Sequence, residues 1–75
     1  MGATVRLDLV NLISPLGLLK CKSALNKMNS GDLLEVSLQD PEVFKNIIKI
    51  IEPSHDQVVR TDRENGCFRL FIEKG

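Results

Sequence analysis

The chain has 75 residues, of which 43% are hydrophobic and 27% charged, with three Phe as its only aromatics. That composition fits one soluble globular domain spanning 1–75 with an aliphatic core, and excludes a disordered or collagen-like chain. Ten basic and ten acidic residues cancel, so the whole molecule has no field that would draw nucleic acid or an anionic membrane non-specifically.

Val5, Leu7 and Leu9 alternate with Arg6, Asp8 and Val10, the period-two pattern of a half-buried strand. Arg6 and Asp8 also break the N-terminus where a signal peptide needs its apolar region. No apolar run approaches the ~18 residues of a membrane span, so a cytoplasmic protein is expected. Ser14 suits an N-cap and Pro15 a first helical turn. From Pro15 to about Met28, Leu18, Cys21, Leu25 and Met28 share one arc with Gly17 and Ala24, and Asn29-Ser30-Gly31 ends that amphipathic helix. Leu34, Val36 and Leu38 alternate with Glu35 and Ser37 as a second strand.

Asp40-Pro41 is the next cap and first-turn pair. The helix it opens runs to about Ile51, buries Val43, Phe44, Ile47, Ile48 and Ile51, and turns Glu42, Lys45, Lys49 and Glu52 to water. Strands over Gln57 to Asp62 and Cys67 to Ile72 flank Arg63-Glu64-Asn65-Gly66, where Asn-Gly is the strongest short-range hairpin signal. Phe68, Leu70 and Ile72 share one face of the last strand; Cys67, Arg69, Phe71 and Glu73 share the other. The order is βαβαββ.

Two helices cannot cover both faces of such a sheet. An α/β (α+β) two-layer sandwich is therefore expected, with a four-stranded mixed sheet and both helices on one face. The other face is left partly open, with Val10, Leu33, Cys67 and Phe71 as candidates for an apolar association surface.

Leu7-Asp8, Ser14-Pro15 followed by Lys20 or Lys22, Ala24-Leu25, Gly31-Asp32, Val36, Asp40-Pro41 and His55 together resemble the TusA/SirA family of small sulfur carriers, over nearly the whole chain. The signature of that family is Leu-Asp-x-x-Gly-x-x-Cys-Pro-x-Pro, and its Cys carries a persulfide sulfur between proteins. Placed on Leu7-Asp8, the resemblance sets Asn11 at the Gly, Ser14 at the Cys, Pro15 at the first Pro and Gly17 at the second. It also sets Ser54-His55 at a later Gly-His pair. It implies the two-layer fold and a protein partner that is a sulfurtransferase or another sulfur-relay component, with a hydroxyl where the family holds its thiol.

A serine forms no persulfide, and as a nucleophile it needs a general base. The single histidine, His55, sits on the loop after the second helix, and nothing in the spacing brings it to Ser14. Cys21 falls in the apolar arc, where a thiol behaves as a small hydrophobe with a raised pKa. Cys67 is expected on the open sheet face beside Arg69, as an incidental surface thiol or a relocated sulfur carrier. The two cysteines face opposite sides of the sheet, which argues against a disulfide. Neither metal-ligand spacing nor a cofactor loop is present, so no metal and no cofactor are expected. Asp8 reads as a solvated or capping carboxylate, not a general base.

Residues 9 to 31 hold Lys20, Lys22 and Lys27 without an acid, a solvated helix face or a docking surface for an acidic partner. Leu16 and Leu19 lie off the apolar arc. With Ser14, Pro15, Lys20 and Lys27 they form the expected partner-binding region. The functional expectation is a non-catalytic, protein-binding or regulatory component of a sulfur relay. The alternatives are a carrier using Cys67 and a nucleic-acid-binding module, the last weakened by neutral charge and by Phe71 standing alone as a base platform.

Overall fold

The structure, a computed structural model, describes residues 2–11 and 16–75. The element order is β1 (Thr4–Asp8), α1 (Leu16–Lys27), β2 (Leu33–Leu38), α2 (Pro41–Ile51), β3 (Gln57–Glu64) and β4 (Cys67–Glu73). The four strands form one sheet in the order β1-β2-β4-β3, with β1 and β2 parallel and β4 antiparallel to both its neighbours. Among the described residues no helix is long and apolar enough to cross a membrane.

This order explains the layering. The crossover through α1 advances from β1 to β2, and the crossover through α2 advances in the same direction, past β4 to β3. Right-handed connections that advance the same way place both helices on one face. The core is correspondingly one-sided: Leu34, Val36 and Leu38 of β2 and Leu70 and Ile72 of β4 are fully buried against Cys21 and Leu25 of α1 and Val43, Ile47 and Ile51 of α2. Phe44 and Phe68 extend this layer with ring centroids 4.7 Å apart. Each fully buried aliphatic side chain contributes about 1.5–3 kcal/mol, which a chain this small needs from nearly every inward position.

The local signals act as expected at two turns. Asp40 caps α2, its Oδ1 accepting the Glu42 N–H at 2.9 Å, with Pro41 in the first turn. Asn65 (φ 53°) and Gly66 (φ 78°) both take positive φ, the requirement of a two-residue hairpin turn. Pairing continues through Arg63↔Phe68 and Glu64↔Cys67, so β3 runs to Glu64 instead of ending at Asp62.

The open face departs from the apolar surface expected of it. Two rows cross the strands on this face, one of Arg6, Glu35, Phe71 and Arg60 and one of Asp8, Ser37, Arg69 and Asp62, so Glu35 and Arg69 are diagonal neighbours. Glu35 takes Arg6 at 3.8 Å on one side and Arg69 at 3.6 Å on the other. Arg60 pairs with Asp62 at 3.1 Å and lies over the Phe71 ring at 5.5 Å from its centroid. Leu33, Phe71 and Cys67 are half-buried in this ladder, and Val10 lies half-buried in the turn after β1, so the face is a lattice of opposite charges.

The two thiols are free and occupy the two sides of the sheet, Cys21 among the core residues and Cys67 on the open face. Burial first, and the Asp56 carboxylate second, push the Cys21 thiol up to about 11. In the native protein at about pH 8, a thiol-alkylating reagent is expected to modify Cys67 and leave Cys21 intact until the chain is unfolded. Equal rates at both thiols, followed by mass spectrometry, would contradict this placement.

Asp32 fastens the start of β1 to the end of α1. Its Oδ2 accepts the Asn29 N–H and its Oδ1 the Ala3 N–H, each at 2.9 Å. These two bonds, Asn29's first, hold its carboxyl below the usual 3.8. A depressed folded value means that the stabilisation is complete above the unfolded pKa and is lost as pH falls through the folded one. The stability gap between the native chain and Asp32→Asn should therefore be widest near neutrality and close in acid below 3.8, as denaturant titrations at a series of pH values would read. A gap independent of pH would exclude this role.

Candidate functional site

β1 ends at Asp8, whose Oδ1 accepts the Val10 N–H at 3.0 Å and so turns the chain out of the strand. The carboxylate is a local cap, in keeping with the sequence. Leu9 follows, only 1% exposed, and donates its N–H to the Ser37 carbonyl at 2.7 Å. Ser14 and Pro15 lie outside the described residues, and with them the expected N-cap. On the far side of that segment α1 begins at Leu16, and Gly17 is buried against α2. A Cβ there would stand 3.2 Å from Val43 Cγ1, so the absence of a side chain lets the two helices approach.

The exposed side of α1 carries the rest of the expected partner region. Leu16 is 47% and Leu19 60% exposed, large values for leucines in so small a protein. Leu16, Lys20, Ser23 and Lys27 recur at helical spacing along one stripe, and Lys20, Ser23 and Lys27 line a groove between α1 and β1. That groove was not evident from helix periodicity, because its other wall is the strand.

Cys67 lines a separate open cleft on the sheet face with Asp8, Ser37, Asp62, Glu64 and Arg69. The Gln39 amide points its Nε2 at the Cys67 Sγ, 3.7 Å away, a weak contact the sequence did not suggest because Gln39 lies just past β2. Three carboxylates against one guanidinium make this cleft a poor receptor for an anion. The expected neighbour Arg69 is present, but it is engaged by Glu35. Among the described residues no group of three or more His, Cys, Asp or Glu could hold a metal ion. His55 is exposed in the turn after α2, and its relation to Ser14 falls outside the described residues.

Comparison with known proteins gives the family from two directions and the fold from a third. The family model described as sulfurtransferase TusA matches residues 5–74. A sulfur carrier protein TusA of Allochromatium vinosum is 32% identical over 68 residues, 91% of this chain and 90% of that protein. A putative sulfur carrier protein of Methanocaldococcus jannaschii is 33% identical over 72 residues, 96% of each. The crystal structure of a SirA-like protein from Desulfitobacterium hafniense superposes with a TM-score of 0.83 at 20% identity, covering 95% of this chain and 97% of that one, and shows the fold to be shared. With its βαβαββ sandwich and a family match over almost its full length, the chain belongs to the TusA/SirA-like family of sulfur carriers.

Proposed function

We propose that this protein is a family member that has exchanged sulfur carriage for recognition: a single domain, 1–75, acting in the cytoplasm as a non-catalytic binding or regulatory component of a sulfur relay. The observation that carries the reading is the register of the signature. Counted from Leu7-Asp8, Ser14 stands at the cysteine, with Asn11 and Gly17 at the flanking Gly and second Pro.

Sulfur transfer in such a carrier needs a thiolate that attacks the outer sulfur of a donor persulfide. A new S–S bond forms and the donor departs as a thiolate. An alkoxide is too basic to form unaided at that position, and an oxygen leaves no persulfide behind. Cys21 supplies no replacement, because it is buried and its pKa is pushed up to about 11. The exposed Leu16 and Leu19 beside Lys20 and Lys27 support a protein partner on α1. The balanced ladder of the open face supports no nucleic-acid platform there, since Arg60 already covers Phe71.

A second reading keeps the carrier role and moves it to Cys67, favoured by that thiol's being only half-buried on the open face. Incubation with glutathione persulfide and intact-mass spectrometry separates the two. The native chain is expected to gain no sulfur, and Ser14→Cys to gain one atom. Loading of the native chain that Cys67→Ser abolishes would overturn the first reading and establish the second.

A further inference from the structure

The groove between α1 and β1 has a volume of about 380 Å³ and is lined by apolar Val5, Leu7, Ala24 and Met28 and by the basic side chains of Lys20 and Lys27. Two independent features say what it fits. The first is the backbone beneath it. Among the described residues β1 is an outer strand of the sheet, paired on one side only. The Ala3 carbonyl accepts Leu33 N–H at 2.8 Å and Leu9 N–H reaches the Ser37 carbonyl at 2.7 Å. By the period of two, odd-numbered residues turn their main-chain groups toward β2, and Thr4, Arg6 and Asp8 turn theirs to the open edge.

The second feature is charge. Residues 9 to 31 hold three lysines and no acid. Among the described residues Asp32 is the one carboxylate lining the groove, and it is already bonded to Asn29 N–H and Ala3 N–H. A positive, partly apolar trough beside an unpaired strand edge suits an extended segment that brings its own carboxylates.

We propose that this groove docks an extended acidic segment of a partner protein, which adds a strand along the open edge of β1 and sets its carboxylates against Lys20 and Lys27. Main-chain hydrogen bonds to Thr4, Arg6 and Asp8 hold the segment, and alternate side chains entering the groove give the selectivity. A second copy of this chain is disfavoured at the same edge, because pairing two β1 strands brings the Lys20 and Lys27 rows of both copies together. The groove at the opposite edge, between α2 and β3, is lined by Glu52 and Asp56, with no lysine among its described lining residues, and the β3 register shifts between Val58 and Arg60, so it does not suit the same acidic segment. The proposal rests on the partner-binding reading above and specifies the partner's chemistry.

The test is an NMR titration of the full chain with a blocked peptide of alternating glutamate and valine. A lysine-valine peptide and a DNA oligonucleotide serve as the competing probes. The glutamate peptide is expected to shift the amides of Thr4, Arg6 and Asp8 saturably and to slow their exchange. Lys20→Glu combined with Lys27→Glu should weaken it about tenfold, as should added salt. Both lysines are exposed, so the variant's unperturbed spectrum away from the groove serves as its folding control. No shift along β1, equal binding of the lysine peptide, equal binding of the oligonucleotide, or self-association through β1 would each overturn the proposal. Sulfur loading is measured separately, so a failure here leaves the reading of Ser14 standing, and a failure there leaves this result intact.

Discussion

Everything in this fold follows from two crossovers that advance across the sheet in the same direction. That constraint sends α1 and α2 to one face and puts β2 and β4 at the centre. It requires a single aliphatic layer, built on Leu34, Val36, Leu70 and Ile72, to supply most of the stability. It also divides the molecule chemically. The covered side is dry enough to raise the pKa of Cys21, while the uncovered side is left to charge pairs centred on Glu35.

The same division assigns the thiols. A cysteine in the arc of α1 is used as a small core residue, held between the sheet and α2, and cannot present itself to a donor protein. The remaining thiol lies across the sheet, in an open cleft walled by Asp8, Asp62, Glu64 and Arg69. If Ser14 stands in the carrier position, the family's scaffold survives here without the atom that gives the family its chemistry. What the scaffold retains is a recognisable surface: exposed leucines on α1, and a lysine-lined trough beside an open strand edge.

Much of this was legible in the sequence because it is local. The alternation of Leu34, Val36 and Leu38, the Asp40-Pro41 cap and the Asn65-Gly66 turn each depend on residues a few positions apart, and the structure places all of them as their spacing implies. The signature around Leu7-Asp8 made the family readable as well. The features that escaped are the non-local ones. Leu33, Phe71 and Cys67 look like an apolar surface along their own strands. Only the insertion of β4 between β2 and β3 sets Glu35 beside Arg69, and Arg60 over Phe71. Likewise the grip of Asp32 on Ala3 spans 29 positions of sequence, and no periodicity announces it. The groove needed both its walls, one from β1 and one from α1, before its charge could be seen as facing an empty strand edge.

The central claim is that this member of a sulfur-carrier family recognises partners without holding sulfur. The most direct measurement is the intact mass of the chain isolated from its own cells under non-reducing conditions, with thiols trapped at lysis. The account predicts the unmodified mass of the polypeptide and two free thiols on unfolding. A population heavier by a sulfur atom, removed by reductant and mapped to Cys67, would contradict it.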